Sequence, residues 1–389
     1  MRFLIGRVRS GKTALIINEI RQTVEGAGGR VLLLVPEQYS HEAERELCAA
    51  CGDRFSRFAE VMSFTGLARF SMSLHGGMAK RRMDEAGRLL CMAVALNEIR
   101  PLLHLYESAA ENIDLQALLL QELDNLNTAA ADAVRLRETA PLFEGDLREK
   151  LGELALIREA WDAVAARSGA STEDPLQVLA RQIRAFGLRE FDRVYVDGFI
   201  DFTGLEHAVL RAMLEQGTDL TVCLPGTERL HGEEYLLPSH LARERLRADA
   251  EERGVPVEVL TVGEKQDGGS LRLFTEHMFD YAADPADGTD GQIRLLRPEN
   301  PRVECELAAA AILDAVRRDG CRWRDIAVAV RGFEDYRGLL ESCFRRYGIP
   351  LFLSHRDPVT EKPLPFWIDL LYEVVLGGFD AEDLTAFLR

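Results

Sequence analysis

Gly6-Arg-Val-Arg-Ser-Gly11-Lys12-Thr13 is the stretch on which the fold turns, and it has the form G-x4-G-K-[ST]. A short apolar run, Arg2–Ile5, precedes it and reads as a buried strand. A helix is expected from Thr13 to about Glu25, with Leu15, Ile16 and Ile20 on one face. In that setting glycines let the backbone wrap closely round phosphates, and several N–H groups point inward at the start of the helix. Lys12 then reaches the β- and γ-phosphates, and the Thr13 hydroxyl coordinates Mg²⁺. Gly6, Arg7, Val8, Arg9, Ser10, Gly11, Lys12 and Thr13 are therefore the expected nucleotide-binding residues, with ATP and Mg²⁺ as ligands.

Working outward, Gly26-Ala-Gly28-Gly29 breaks the chain and Arg30–Val35 reads as a second strand stopped by Pro36. A helix over Glu42–Ala50 and a third strand at Glu60–Ser63 follow. This β-loop-α-β-α order predicts an α/β fold with a parallel sheet and crossover helices. Residues 78–183 change to long helical stretches; Leu115–Leu126 keeps helical periodicity with acidic residues on its other side. That region is expected to be an all-helical insertion. Strand texture returns at Arg193–Val196 and Leu220–Leu224. Residues 282–291, AADPADGTDG, read as a linker. Beyond them a strand at Ile293–Leu296, a helix at Val303–Arg317 and a strand at Ile326–Val330 open a second α/β unit. No repeat of 20–50 residues is visible.

Composition bounds the function. The 389 residues are 47% apolar and 29% charged, which excludes collagen, a disordered tail and a coiled coil. No apolar run approaches the ~18 residues of a membrane span. Phe3-Leu-Ile5 before Gly6 is too short for a signal-peptide core. A cytoplasmic protein is the expectation. With 47 basic and 64 acidic residues the net charge is −17, which argues against a generally basic nucleic-acid coat but not against a local basic channel. Only five residues are lysines (12, 80, 150, 265 and 362), so Lys12 in a motif stands out. The seven cysteines include Cys48-Ala-Ala-Cys51, but no second pair or histidine pair lies at zinc spacing. They are expected to be reduced, unpaired thiols, with no metal–sulfur site.

Hydrolysis needs more than the loop: an acidic residue at the end of a neighbouring strand to hold Mg²⁺, and a carboxylate to activate water. Arg193-Val-Tyr-Val-Asp197-Gly198 is the best candidate, an apolar strand ending in aspartate. Asp197 fits the metal role; an aspartate there also suits a turn or a helix start. Gly198 stands where a general-base glutamate is expected and has no side chain to accept a proton. The site is thus expected to bind ATP and to hydrolyse it poorly or not at all.

Read in order, the blocks GRVRSGKT (6–13), LLLVPEQYSHEAERE (32–46), VMSFTGLARF (61–70), VYVDGFIDFTGLE (194–206) and DIAVAVRGFEDYRGLLESCFRRYGIPLFLS (325–354) resemble a superfamily 1 helicase core. More specifically the chain resembles the N-terminal part of AddB-type subunits of AddAB helicase–nucleases, over nearly its whole length. The phosphate loop is generic; VPEQ, VDGFxDFT and the RYGIPxF block are more specific. The resemblance implies a first RecA-like P-loop domain at 1–77 and 184–281, a helical insertion (1B-like) at 78–183, a linker at 282–291, and the truncated start of a second RecA-like domain at 292–389. It implies processing of double-strand DNA ends for recombinational repair, with an AddA-like partner in a heterodimer. In that family the helicase-like half of the AddB-type chain is not the main motor; it follows the single strand and helps recognise the Chi sequence.

Residue by residue, the resemblance places Gln38 and Ser40 where such proteins contact nucleic acid from a strand end. Phe64 is a candidate to stack on a base, a contact of about 1–3 kcal/mol, and also a candidate core aromatic beside Leu67. Arg69 belongs to the same expected DNA face. Family members tend to carry an arginine and an aromatic where this chain has Gly66 and Arg69, a departure that bears on Chi specificity rather than on strand binding. Phe199 and Phe202 line the strand path or pack under the sheet edge. Arg331 falls where helicases direct a second-domain arginine to the γ-phosphate, and reads equally as a solvated loop arginine. The chain ends in the helical run Asp383–Arg389, before the later helicase motifs, the nuclease motif and the cysteine cluster that binds an iron–sulfur centre in the family. A part of a longer protein is the expectation.

Two other functions compete. An active UvrD-like helicase activates water with another carboxylate and shows an ATPase rate dependent on Lys12. A P-loop kinase or regulatory ATPase without DNA shows no salt-sensitive single-strand binding, whereas a phosphate-contacting groove weakens steeply with salt.

Overall fold

The structure, a computed structural model, describes residues 1–8, 10–26, 28–52, 55–77, 83–129, 131–169, 173–227, 234–263, 269–277, 284–285, 290–353 and 362–388. It divides into two units, Met1–Asp290 and Gly291–Arg389.

The first unit is built on six parallel strands: β1 (Arg2–Gly6), β2 (Val31–Leu34), β3 (Ala59–Met62), β4 (Arg193–Val196), β5 (Asp219–Pro225) and β6 (Glu258–Thr261), in the order β3-β2-β4-β5-β1-β6. The expected α/β, RecA-like class is borne out. The strands are near-continuous apolar runs because both faces of the sheet are covered. Alternation sends Phe3 and Ile5 to one face and Leu4 to the other; Leu32 and Leu34 oppose Leu33 in the same way. On the Leu4 face lie α1 (Lys12–Glu25), α2 (Ser40–Cys51) and the short α3 (Phe55–Phe58), held by Ile16, Ile20, Leu47 and Phe55. On the Phe3 face lie α4 (Phe64–His75), α9 (Pro175–Phe186), α10 (Gly204–Glu215) and α11 (Leu237–Glu252). Each large apolar side chain taken out of water there contributes about 1.5–3 kcal/mol. Strand β6 went unread because it is an edge strand, exposed along its length, with no apolar run to mark it.

Between α4 and α9 the chain builds a helical body with its own core. Its helices are α5 (Glu85–Ile99), α6 (Ile113–Thr128), α7 (Ala133–Thr139) and α8 (Asp146–Arg167). Met92, Leu96, Leu119, Leu123, Leu136, Ile157 and Trp161 interlock there, and none of them belongs to the sheet's two cores. Helix starts are encoded locally: Asp84, Asn112 and Asp132 cap α5, α6 and α7 by accepting backbone N–H bonds, and Thr203 with Glu206 forms a capping box on α10. Glu153, buried on α8, accepts from the backbone N–H groups of His104, Leu105 and Tyr106 at 2.7, 3.0 and 3.1 Å and so ties the 103–106 loop to the helix.

A short α12 (Ser270–His277) closes the first unit. The second unit contains α13 (Pro301–Arg317), α14 (Phe333–Tyr347), α15 (Pro363–Leu376) and α16 (Ala381–Leu388). Cys305, Ala309, Ile312, Leu340, Cys343 and Phe344 form its core between α13 and α14. The strands expected at Ile293–Leu296 and Ile326–Val330 are not strands: neither run pairs with a neighbour, and Leu295 and Val328 are exposed. An apolar extended run becomes a strand only when its backbone groups find a ladder, which a hydrophobicity pattern does not register. Most of the run expected to be a linker, 282–283 and 286–289, lies outside the described residues. Among the described residues no helix is long and apolar enough to cross a membrane. All seven cysteines are unpaired, Cys48 and Cys51 near the end of α2.

Candidate nucleotide-binding site

The loop after β1 turns into α1 through Gly11, whose φ of 95° is a left-handed conformation open to glycine at no steric penalty. Ser10 N–H donates to Arg7 O at 3.2 Å, curling the loop over the strand end. Lys12 Nζ points back into this curl and donates to Gly6 O (2.6 Å), Arg7 O (2.9 Å) and Ser10 Oγ (3.3 Å). Burial pushes its ammonium below its ordinary value, against the raising influence of Cys223 and Asp197. Thr13, one position on, donates its hydroxyl to Asp197 Oδ2 at 2.7 Å. Gly6, Arg7, Val8, Ser10, Gly11, Lys12, Thr13 and Asp197 therefore meet at the carboxyl ends of the parallel strands, where open α/β sheets place their ligands. Arg9 lies outside the described residues.

Asp197 was expected on a strand neighbouring the phosphate loop's own. It stands at the end of β4, while β1 pairs with β5 and β6, so β5 separates the two. Cys223, on that intervening strand, fills the gap below: it is fully buried and its thiol donates to Asp197. Burial, reinforced by the negative Asp197, pushes that thiol far up, so it stays protonated as a donor. The sequence offered no sign of this, because a cysteine inside an apolar strand reads as one more core residue.

Asp197 is 6% exposed and has lost most of its water. A hydroxyl and a carboxylate oxygen side by side form a hard-oxygen donor pair of the kind that takes one face of Mg²⁺ and leaves the rest to waters and phosphates. The residues present fit that ion and a nucleotide's phosphates.

Gly198 is glycine for a backbone reason. Its φ is +84°, and a Cβ there would come 3.1 Å from Pro36 Cδ and 3.8 Å from Tyr39 Cδ1. A glutamate at this position would have to hold a left-handed conformation, worth about 1–3 kcal/mol of strain, while pressed on a proline ring.

The residues expected to face DNA divide in two. Gln38 and Arg69 are exposed, and Arg69 approaches Glu37 at 3.9 Å, which brings the 37–40 segment beside α4. Ser40 is half-buried, with its hydroxyl donated to Glu37 O at 2.9 Å. The three phenylalanines form a cluster instead: Phe64 meets Phe199 at 5.4 Å and Phe202 at 6.4 Å between ring centroids, both edge-on. Phe64 (3% exposed) and Phe202 (5% exposed) belong to the core on the Phe3 face, with Phe199 packed against it. Base stacking needs an open ring face, so in this arrangement Phe64 and Phe202 serve packing. Arg331 is exposed in the second unit, at the bend before α14.

Two buried polar residues that sequence reasoning passed over brace the loops around the site. Ser239 Oγ donates to Ile200 O at 2.7 Å, and Arg243 Nη1 donates to Thr227 O at 3.1 Å, so the first turns of α11 hold the loops after both β4 and β5. Gly226 N–H then donates to Gly6 O at 3.2 Å, which carries the brace to the root of the phosphate loop.

Set beside known proteins, residues 3–275 match a family model described as "ADDB, N-terminal". Curated relatives, each named as a subunit of the AddB type in an ATP-dependent helicase/deoxyribonuclease, align along the chain. The protein of Moorella thermoacetica is 32% identical over 409 residues, covering all of this chain and 35% of the relative. That of Clostridium novyi is 25% identical over 398 residues, again covering all of this chain and 35% of the relative. That of Geobacillus kaustophilus is 30% identical over 384 residues, covering 94% of this chain and 33% of the relative. The chain spans about a third of the length of the curated relatives it matches.

Proposed function

The chain belongs to the AddB N-terminal family, and from that premise we propose that it is the helicase-like front part of an AddB-type subunit in an ATP-dependent helicase/deoxyribonuclease. In this reading it binds ATP with Mg²⁺ at the phosphate loop and holds single-stranded DNA while double-strand ends are processed for recombinational repair. An AddA-like protein is its partner, in keeping with the relatives' names, which make each of them one subunit of a larger enzyme. The deoxyribonuclease activity and the iron–sulfur centre implied by the resemblance belong to the length of those relatives that this chain does not span. The organisation proposed is that read from the sequence, two RecA-like parts with a helical insertion in the first. A cytoplasmic location fits such a role.

The observation that carries the nucleotide reading is the convergence of Lys12, Thr13 and Asp197, with Thr13 Oγ1 2.7 Å from Asp197 Oδ2. Thr13 and Asp197 would hold Mg²⁺, which when bound neutralises charge between the β- and γ-phosphates. Lys12, now spent on loop carbonyls, would turn to the phosphate oxygens. Gly198 offers no carboxylate to take a proton from water, so ATP acts chiefly as a bound ligand. Gln38 and Arg69, exposed beside each other's segments, supply the first polar contacts for the strand.

Calorimetric titration with ATP and Mg²⁺ tests the reading. Binding is expected in the wild type and at least a tenfold loss in Lys12→Ala, with negligible turnover even when single-stranded DNA is present. A brisk ATPase rate that depends on Lys12 would move the assignment to an active UvrD-like helicase. Nucleotide binding without salt-sensitive strand binding would move it to a P-loop enzyme unconnected with DNA.

A further inference from the structure

Gly198 connects two parts of the first unit that the sequence keeps apart. On one side it follows Asp197, whose side chain accepts from Thr13 and whose N–H donates to Leu34 O at 2.9 Å. On the other it lies against Pro36 and Tyr39, at the 3.1 and 3.8 Å already given for a built Cβ. The Tyr39 ring is anchored beyond by its hydroxyl, which donates to Glu46 Oε2 at 3.0 Å. Ser40 closes the same turn by donating to Glu37 O. The turn at Pro36–Ser40, with Gln38 on its exposed side, therefore rests directly on the backbone that carries Asp197.

We propose that Gly198 is a positioning residue that couples occupancy of the Thr13–Asp197 site to the Pro36–Ser40 turn, so that nucleotide and single-stranded DNA bind with linked affinities. The proposal rests on the nucleotide- and strand-binding reading above and deepens it. From sequence alone Gly198 is a vacated catalytic position; in the fold it is a joint. Atoms packed at interior density do not move independently, so a shift of Asp197 as its oxygen exchanges the Thr13 hydroxyl for a cation passes through Gly198 to Pro36 and Tyr39. A side chain at 198 would wedge the joint. A glycine allows the left-handed turn and the close contact together.

The test is a linkage measurement on the intact chain. Affinity for a fluorescent oligothymidylate is measured by anisotropy, with and without a non-hydrolysable ATP analogue and Mg²⁺, and analogue affinity is measured with and without the oligonucleotide. The wild type is expected to show a reciprocal change of about fivefold or more, the lower end of ordinary coupling between sites. Gly198→Ala is expected to bring the ratio below about twofold while analogue affinity alone stays near wild type. Tyr39→Leu removes the ring from the other side of the joint without straining residue 198, and is expected to bring the same loss. Both variants keeping the wild-type ratio would overturn the proposal. So would a wild type that binds both ligands with a ratio of one. A wild type that binds no analogue or no oligonucleotide strikes down the underlying reading, and this proposal with it.

Discussion

Thr13 and Asp197 stand 184 positions apart in the chain and share a 2.7 Å hydrogen bond across the end of β5. One is the last residue of a contiguous motif and the other the first residue after a distant strand. Their meeting turns a phosphate-binding loop into a site able to hold a metal-bound nucleotide, and the chain's testable behaviour follows from that geometry and from the packing beneath it.

Lys12 is the first residue to change. A lysine whose folded-state pKa is lowered holds its proton less well folded than unfolded. Its charge therefore opposes folding below that pKa, and the opposition fades as pH rises toward the ordinary 10.5. Lys12→Met is expected to leave the melting temperature without ligand unchanged or raised at pH 7, and to abolish the rise that ATP and Mg²⁺ give the wild type. Differential scanning fluorimetry reads both; a lower melting temperature without ligand would mean that the three loop hydrogen bonds outweigh desolvation.

Phe64 separates packing from base stacking. Phe64→Ala empties part of the core on the Phe3 face and is expected to lower stability by about 3–5 kcal/mol. Phe64→Leu, closer in volume, is expected to cost under about 1.5 kcal/mol and to leave oligonucleotide affinity within about twofold of wild type, less than the loss of one stacking contact. Urea titrations with parallel anisotropy measurements decide it; a large loss of affinity in a stable Phe64→Leu would restore the stacking role.

Glu153 holds the 103–106 loop by three backbone N–H groups. Glu153→Ala leaves those donors without their acceptor, at about 1–3 kcal/mol for each one that water does not reach. Faster amide exchange at residues 104–106 is the expected signature, with the phosphate loop's exchange unchanged because the helical body has a separate core. Acceleration spread evenly over both would show that the two cores unfold together.

Glu19 governs part of the acid limb. Burial alone would raise its carboxyl, but hydrogen bonds from Arg2 and from Tyr195 outweigh burial and hold it below its ordinary 4.5. A carboxylate with a depressed folded-state pKa contributes stability that is fully present above 4.5 and is lost as pH falls through the folded value. Glu19→Gln is expected to flatten stability against pH below 4.5 while lowering it at pH 7. Equal slopes for the two proteins in acid titrations would remove Glu19 from that account.

Much of this was legible because it is local. The strand Arg2–Gly6, the loop 6–13 and the helix from Lys12 occupy consecutive residues, so apolar runs, glycines and a helix face announce them directly. Five of the six strands were read for the same reason. The exposed edge strand β6 and the unpaired runs at 293–296 and 326–330 were misjudged because pairing depends on a partner that a one-dimensional pattern does not contain.

The sequence by itself determined the phosphate-binding loop, the parallel α/β class and the candidacy of Asp197, since each rests on residue chemistry within a few positions. Only the tertiary structure decided that Thr13 reaches Asp197 across an intervening strand, that Cys223 donates to it from below, that Phe64 and Phe202 are packed away from solvent, and that Gly198 is pressed against Pro36. Those are contacts between distant segments, and they are settled by how the whole sheet stacks its strands and closes its two cores, where the favourable energy of burial is gained collectively.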